Sequence, residues 1–177
     1  MDIYKQKWTI VTQRLFSLLC ARAGERLSQR ELAIELLLSP TAIGTAANRL
    51  ERGGLITRER TKTGNFLSLR REQAIPLKRV ENLRSITLFG LSDYLEEAFP
   101  GSTIILFGSY ARGEDVMGSD IDIAVIGRKE KPLELSSYEK NLLRPINVNF
   151  YPDWKHINKE LRNNILNGIV LCGSVNL

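Results

Sequence analysis

Apolar residues follow a helical spacing through the first part of the chain. Over residues 8–23 they recur every three or four positions and stop at Gly24, which predicts a first helix. Ser28 and Glu31 then have the spacing of a capping box, in which each side chain accepts a backbone N–H at the start of a helix. These signals predict a second, short helix directly after the first.

A third helix and a β-hairpin follow. Ser39–Pro40 forms another helix start, and Gly53–Gly54 ends the apolar stripe that begins there. Two extended runs, 55–61 and 66–70, are joined by Lys-Thr-Gly-Asn, which is rich in the residues that hairpin turns favour. This part of the chain therefore predicts three helices and one hairpin.

The second half alternates between helical and extended patterns. Residues 71–76 have no periodicity and contain a proline, so they predict a linker. An apolar stripe over 77–99 predicts a long helix, which Gly90 either kinks or divides. Extended apolar segments, which predict strands, lie at 104–107, 120–126 and 146–151. The whole pattern predicts an α+β fold, in which a small mixed sheet with flanking helices follows the three helices and the hairpin.

Charge is distributed unevenly along the chain. Residues 1–84 carry 16 lysines and arginines against 8 acids, a net charge of +8, whereas the remaining residues carry 9 against 12, a net charge of −3. Together with the linker, this division predicts two domains, residues 1–75 and 76–177. A strongly basic half indicates a polyanionic partner, and first of all nucleic acid.

Cysteine usage and the lack of a long apolar run bear on the compartment. Cys20 and Cys172 lie in apolar contexts without the spacing of a zinc site or a disulfide framework, which indicates buried thiols in a reducing compartment. Residues 1–7 are polar and do not resemble a signal peptide, and no apolar run approaches the roughly 18 residues of a membrane span. We therefore expect a cytoplasmic protein without a membrane partner.

The stretch that indicates chemistry joins a glycine–serine turn to an alternating acidic strand. Gly108 lets the backbone approach a ligand closely, and Ser109 adds a hydroxyl beside exposed N–H groups, a combination suited to phosphate oxygens. Asp120 and Asp122 share one face of the next strand, about 7 Å apart. Two such carboxylates can bind Mg²⁺ together with substrate phosphates. Taken separately, Gly-Ser is also typical of an ordinary turn, and the alternating aspartates are also typical of a half-solvated strand.

In combination these residues resemble the DNA polymerase β nucleotidyltransferase superfamily, in which a strand, Gly-Ser, a short helical segment and a Ser-Asp-x-Asp strand follow one another. The matching residues are Gly108, Ser109, Ala111, Arg112, Gly113, Ser119, Asp120 and Asp122. The domain around them is similar to the minimal nucleotidyltransferases of prokaryotes. The resemblance implies a nucleoside triphosphate bound at Gly108 and Ser109. It also implies Mg²⁺ as cofactor, with Asp120 and Asp122 as catalytic ligands. Arg112 would contact a phosphate or the acceptor, or form an ion pair with a nearby acid.

One residue of the family pattern is missing. Active members carry a third carboxylate on a neighbouring strand, where this chain offers Asn147 and Asn149. An amide oxygen can still bind a metal, but it has no charge and cannot act as a base. Asp153, Glu114 and Asp115 are alternative sources of the acid, although each is also typical of an ordinary surface position.

Three helices followed by a hairpin resemble a winged helix-turn-helix. This resemblance implies duplex DNA as partner, contacted by the hairpin and by the face of the third helix opposite its apolar stripe. The residues at these positions are Thr41, Thr45, Asn48 and Arg52 on the helix and Arg58, Arg60 and Lys62 on the hairpin. The same charges would suit a solvated face on a module for protein contact or dimerisation, but the net charge of the basic half favours nucleic acid.

Two functions remain open. In the first, the chain is a Mg²⁺-dependent nucleotidyltransferase that transfers a nucleoside monophosphate from a nucleoside triphosphate to an acceptor hydroxyl, tethered to a DNA-binding module. In the second, it is a DNA-binding regulator or antitoxin-like protein whose nucleotidyltransferase domain is weak or inactive and serves as a nucleotide sensor or partner-binding module. The missing acid favours the second. The resemblance also leaves room for a separate helical partner protein or a homodimer.

Overall fold

The computed structural model describes residues 8–176, so residues 1–7, on which the expectation of no signal peptide rests, lie outside the described residues. The chain forms two compact units that divide between Pro76 and Leu77. Within the described range no helix is both long enough and apolar enough to cross a membrane.

The first unit consists of three helices and a small antiparallel sheet. Its elements are α1 (Ile10–Ala21), β1 (Leu27–Ser28), α2 (Gln29–Glu35), α3 (Pro40–Arg52), β2 (Ile56–Thr61) and β3 (Gly64–Leu69). The strands pair in the order β1-β3-β2. The short β1, which the sequence pattern did not predict, therefore adds a third strand to the predicted hairpin.

α2 and α3 begin at the predicted capping residues. The Ser28 hydroxyl accepts the backbone N–H of Glu31 at 3.1 Å, and the Glu31 carboxylate accepts the N–H of Ser28 at 2.9 Å, as a capping box requires. Ser39 accepts the N–H of Ala42 at 3.1 Å in the same way. α3 packs against both α1 and α2, and the apolar faces of the three helices form one core.

The second unit is built on a four-stranded sheet. Its elements are α4 (Arg71–Leu88), which begins before the division, then α5 (Leu91–Ala98), β4 (Thr103–Phe107), α6 (Gly108–Arg112), β5 (Ile121–Ile126), α7 (Ser136–Leu142), β6 (Ile146–Tyr151), a 3₁₀ helix (Trp154–His156), α8 (Lys159–Leu166) and β7 (Ile169–Cys172). The strand order is β6-β5-β4-β7, with β5 and β6 parallel and the other neighbours antiparallel. Gly90, with a φ of 73°, divides the long predicted helix. The predicted α+β fold with a mixed sheet is confirmed.

The two faces of the sheet pack against different elements. On one face, Ile123 belongs to an apolar cluster with Leu95 and other residues of α4, α5 and α7. On the other face, Ala124 packs in a cluster with Trp154 and residues of α8. Side chains alternate along a strand, so Asp122 lies on this second face, two residues before Ala124.

Along α4 the structure differs from the predicted pattern. Residues 71–76, predicted as a linker, form the first part of this helix, and Pro76 lies inside it. The proline keeps a helical φ, and the backbone hydrogen bond that it removes is one among those of an 18-residue helix. Val80 and Leu88 are 63% and 66% exposed, although the apolar stripe predicted them buried. Lys78 and Asn82 are buried instead, since both find hydrogen-bond partners inside the unit.

Candidate functional site

Gly108 lies directly beside the carboxylate of Asp122. β4 and β5 are antiparallel, and their register places Phe107 opposite Asp122. Gly108 follows with a φ of 75°, which glycine adopts without strain. A Cβ at this position would overlap the Asp122 side chain, 3.3 Å from Cγ and closer still to Oδ2. The turn therefore needs glycine both for its backbone angle and for the close approach of the carboxylate.

The two aspartates crowd negative charge at the start of β5. Burial raises the pKa of the Asp122 carboxyl above its usual range, and the charge of Asp120 raises it further, while Asn147 and Arg112 oppose the shift. A divalent cation would relieve the repulsion between the two carboxylates, and oxygen ligands of this kind suit Mg²⁺. The residues present therefore fit the metal that the resemblance implies.

Asn147 occupies the place where a third carboxylate was expected. The parallel register of β5 and β6 sets Asn147 opposite Asp122 and sets Asn149 opposite Ala124, two residues further along. The Asn147 amide donates a hydrogen bond to Asp120 Oδ2 at 2.9 Å. Of the two asparagines that the sequence offers, Asn147 is therefore the one beside both aspartates.

The other candidate acids have structural partners. Asp153 caps the 3₁₀ helix after β6, and its hydrogen bond with the His156 ring lowers the pKa of its carboxyl. Glu114 pairs with Arg112 at 2.7 Å. Asp115 is 2% exposed and surrounded by buried cations. Among residues 8–176, no three His, Cys, Asp or Glu side chains gather where they could bind one metal ion.

The short helix α6 carries both Ser109 and Arg112. Ser109 is partly exposed, so a ligand can reach its hydroxyl. Arg112 donates to Asn164 Oδ1 at 3.1 Å in addition to its pair with Glu114. Arg112 therefore forms an ion pair with Glu114. Its charge also acts on the Asp122 carboxyl, so it still supplies positive charge to the site.

Tyr151 belongs to the surroundings of the site, although the sequence analysis did not select it. It ends β6 on the same strand face as Asn147 and Asn149 and is partly buried. Burial and then the charge of Asp122 raise the pKa of its phenol, so the side chain lies within electrostatic reach of that carboxylate. The alternation of side chains along the strand at 146–151 was the sequence signal that could have placed Tyr151 on the face of Asn147 and Asn149.

The residues predicted to contact DNA fall into two groups. An exposed group comprises Thr41, Thr45, Asn48, Arg52, Arg60 and Lys62. Arg58 differs from them, because only 6% of its side chain is exposed. It donates to Asn48 Oδ1 at 2.8 Å and to the Gly44 carbonyl at 3.2 Å. The structure thus places Arg58 against α3, where it orders the helix, rather than on the exposed surface where we expected it.

Gln29 joins three parts of the same surface. Its Nε2 donates to the Pro40 carbonyl at the start of α3 at 2.8 Å, and its Oε1 accepts a hydrogen bond from Asn65 of the hairpin at 3.2 Å. Local sequence patterns could not reveal this role, because both partners are distant in sequence. Gln29 therefore fixes the hairpin relative to α2 and α3.

Replacing Asp122 by asparagine is expected to raise the thermal midpoint of the metal-free protein at pH 7. The folded pKa of Asp122 is raised, so its contribution to stability is fully present below the unfolded pKa, near 3.8, and is lost as the pH rises through the folded value. At pH 7 the carboxylate therefore opposes folding, whereas an amide does not. Thermal unfolding between pH 3 and pH 8 measures the difference, which should vanish at the acidic end.

The control for this prediction is Glu130→Gln in an exposed loop, which should change the midpoint little at any of these pH values. An Asp122→Asn protein less stable than the wild type at pH 7 would show that the carboxylate is not strained by its surroundings.

Two families match the chain, one in each unit. A family model described as the nucleotidyltransferase domain matches residues 89–172, and a model of the MarR family matches residues 15–64. A comparison with curated proteins found no match.

Three solved structures are similar to part of the chain. The adhesin competence repressor AdcR of Streptococcus pyogenes is 20% identical with a TM-score of 0.41, over 54% of this chain and 71% of that one. A mutant of Lactococcus lactis ZitR is 22% identical with a TM-score of 0.42, over 56% of this chain and 65% of that one. Bacillus subtilis YusO is 22% identical with a TM-score of 0.35, over 54% of this chain and 73% of that one.

Each family match contains the residues that carry the corresponding site. The nucleotidyltransferase match includes the Gly108 turn, both aspartates and Asn147. The MarR match includes α2, α3 and β2, with the exposed residues of the predicted DNA surface. The chain therefore joins an N-terminal MarR-family winged-helix domain to a nucleotidyltransferase domain.

Proposed function

We propose that this chain is a DNA-binding protein whose nucleotidyltransferase domain binds a nucleoside triphosphate with Mg²⁺ and transfers its nucleoside monophosphate to a hydroxyl acceptor only slowly. The observation that supports this most is the hydrogen bond from Asn147 to Asp120, because it puts an uncharged amide where transfer needs an acid. The close approach of Gly108 to Asp122 supports the nucleotide-binding part.

Phosphate binding and metal binding fall to different residues. Ser109 and the backbone of the Gly108 turn hold phosphate oxygens, and Arg112 adds positive charge beside them. Asp120 and Asp122 would hold Mg²⁺, which when bound polarises phosphoryl oxygens and offsets their charge. Binding of the triphosphate thus requires nothing that this chain lacks.

Proton transfer is the step that the chain supports poorly. The acceptor hydroxyl must lose its proton as its oxygen attacks the phosphorus, and Asn147 has no basic atom to take that proton. General-base assistance is typically worth about 100- to 10,000-fold in rate. Nucleotide binding therefore persists while transfer is weak.

The same observation favours a second candidate, a regulator in which the domain senses nucleotide or binds a partner without any transfer. One experiment separates the two. The full chain is incubated with Mg²⁺, ATP or GTP and an extract of protein and RNA that supplies acceptor hydroxyls, and pyrophosphate release is measured against an Asp120→Asn background. Slow release above that background supports the enzyme, whereas nucleotide binding without any release supports the sensor.

Binding of duplex DNA is proposed for the first unit. Residues 1–76 carry 13 lysines and arginines against 7 acids, a net charge of +6, and Arg52, Arg60 and Lys62 are exposed on α3 and the hairpin. If the protein neutralises about six phosphates, the logarithm of its affinity should fall with the logarithm of salt concentration with a slope of about −5. A flat salt dependence would count against DNA as the partner.

We expect Arg60→Ala to weaken DNA binding and Arg58→Ala to destabilise the fold. The Arg60 side chain is 63% exposed, so its loss should weaken binding to all duplexes by up to about tenfold, and the salt slope should change by about one unit. Arg58 bonds to Asn48 and Gly44, so its loss should lower the free energy of unfolding by about 1–3 kcal/mol.

Fluorescence anisotropy at several salt concentrations and urea denaturation measure the two effects. Arg60→Ala serves as the matched control for stability. An Arg58→Ala protein with full stability and a reduced salt slope would place Arg58 among the DNA contacts after all.

A further inference from the structure

Four polar side chains form a buried cluster in the second unit, apart from the metal-binding aspartates. They are Lys78 and Asn82 on α4, Asp115 in the turn after α6, and Arg144 just before β6, and each is between 2% and 4% exposed. The Asp115 carboxylate accepts hydrogen bonds from all three partners: from Lys78 Nζ, from Asn82 Nδ2 at 2.7 Å and from Arg144 Nη2 at 3.2 Å. We call this group the Asp115 cluster.

The cluster is bonded to the helix that carries Ser109. Asn82 Nδ2 donates to the backbone carbonyl of Tyr110 at 2.8 Å in addition to its bond with Asp115. Tyr110 follows Ser109 directly in α6, and Asp115 lies in the connection that leads from α6 to β5. The cluster therefore holds α6 at its middle residue and just after its end.

The cluster is also bonded to the strand that carries Asn147. Arg144 Nη1 donates to the Leu143 carbonyl at 2.9 Å, so the guanidinium fixes the end of α7 as well as the Asp115 carboxylate. The next residue, Pro145, accepts the backbone N–H of Ile121 at 2.8 Å, where β6 comes alongside β5. The position of Asn147 beside the aspartates thus depends on a segment that Arg144 holds.

Stability alone does not account for a cluster of this kind. Burial of charged groups carries a large desolvation cost, and well-packed apolar residues of similar size are often as stabilising or more so. Arg144 Nε, moreover, has no hydrogen-bond partner within the described part of the chain. An apolar core at these positions would avoid the cost, but it could not direct hydrogen bonds at the Tyr110 carbonyl and the Leu143 carbonyl.

We propose that Asp115 is a positioning residue of the nucleotide site, and that it sets α6 and the start of β6 in place through Asn82 and Arg144. This proposal rests on the proposed function for its ligand, but its structural part can be tested without one. Two backbone amides report on α6 itself: the N–H of Gly113 donates to the Tyr110 carbonyl at 3.2 Å, and the N–H of Glu114 donates to the Ser109 carbonyl at 2.9 Å.

The experiment replaces the ionic part of the cluster by apolar residues, with Lys78→Met, Asp115→Leu and Arg144→Met combined in the full chain. Hydrogen exchange of the ligand-free protein is followed at the amides of Gly113 and Glu114. The amides of Arg162 and Asn167, which donate within and at the end of α8, serve as the internal reference. We expect exchange at least about tenfold faster in α6, an unchanged reference and a thermal midpoint that does not fall.

Ser102→Ala is the matched control, because it removes another buried hydrogen bond of this unit, from the Ser102 hydroxyl to the Phe99 carbonyl at 2.7 Å, without touching α6. It should leave the ratio between the two sets of amides unchanged. If the triple variant does not fold, Asp115→Asn, which keeps the shape of the side chain, is measured in the same way. Its midpoint should fall, because Lys78 and Arg144 lose their buried counter-charge, so the ratio of exchange between α6 and the reference amides is the readout.

The proposal is overturned if a folded variant exchanges its α6 amides at the wild-type rate, or if α6 and the reference accelerate together. Affinity for a non-hydrolysable ATP or GTP analogue with Mg²⁺ provides a second readout and should fall at least about tenfold while the midpoint holds. Wild-type affinity in the folded triple variant would also overturn it. A wild type that binds neither analogue would refute the proposed function, but the exchange rates would still decide the role of Asp115.

Discussion

Replacing Asn147 by aspartate is expected to raise the rate of nucleotidyl transfer by about 100- to 10,000-fold. The new carboxylate would lie opposite Asp122 and beside Asp120, where it can accept the proton of the attacking hydroxyl and add negative charge to the metal site. Pyrophosphate release from ATP or GTP with Mg²⁺, in the presence of an acceptor that the wild type labels slowly, measures the rate.

The same variant should be less stable than the wild type without metal. The hydrogen bond that Asn147 donates to Asp120 is lost, and a like charge takes the place of the donor. Mg²⁺ should then raise the thermal midpoint of the variant more than it raises that of the wild type, because the ion binds only the folded state. This gives a readout of the site that does not depend on knowing the acceptor.

Asn149→Asp is the matched control for Asn147→Asp. The register of β6 places Asn149 opposite Ala124 rather than opposite an aspartate, so this substitution should leave transfer near the wild-type rate. A wild type that already turns over rapidly and gains nothing from either substitution would show that another residue supplies the acid, with Asp153 the first to be examined.

Replacing Gly108 by alanine is expected to weaken binding of the Mg²⁺–nucleotide complex by at least about 100-fold, or about 2.7 kcal/mol. The positive φ costs a residue with a side chain about 1–2 kcal/mol. In addition the new Cβ would overlap the Asp122 carboxylate, so either the turn or the aspartate must move. In the proposed site the turn holds phosphate and Asp122 holds the metal, so moving either one weakens binding. Calorimetric titration with a non-hydrolysable analogue measures the loss.

Gly127→Ala separates the cost of the positive φ from the overlap with the Asp122 carboxylate. Gly127 lies at the far end of β5 with a φ of 89°, and a Cβ there would meet nothing within 4 Å. This variant should therefore lose a similar amount of stability from the backbone angle and yet bind nucleotide as the wild type does. If both variants bind nucleotide equally well, the Gly108 turn does not form the phosphate site.

Local signals in the sequence were enough to predict most of the elements and to select the residues that the structure brings together at the candidate site. Capping residues such as Ser28 and Ser39 act within one helical turn, so their effect does not depend on the rest of the fold. The Gly-Ser turn and the paired aspartates are likewise local, and the structure brings Gly108 against Asp122.

Contacts between distant residues could not be predicted in this way. The choice between Asn147 and Asn149 depends on the register of two parallel strands that a long connection separates. The burial of Lys78 depends on Asp115, 37 positions later, so a periodic pattern of apolar residues could not predict it. Arg58 was placed on the exposed hairpin surface because its partners, Asn48 and Gly44, lie on another element.

The most direct test of the proposed site is calorimetric titration of a non-hydrolysable ATP or GTP analogue into the wild type and into a variant with Asp120→Asn and Asp122→Asn combined. With Mg²⁺ present, we expect the wild type to bind and the double variant to bind at least about 100-fold more weakly. Without Mg²⁺, the double variant should bind at least as well as the wild type, because carboxylates that no metal neutralises repel the triphosphate. Equal affinities in the presence of Mg²⁺ would contradict the assignment of the nucleotide site.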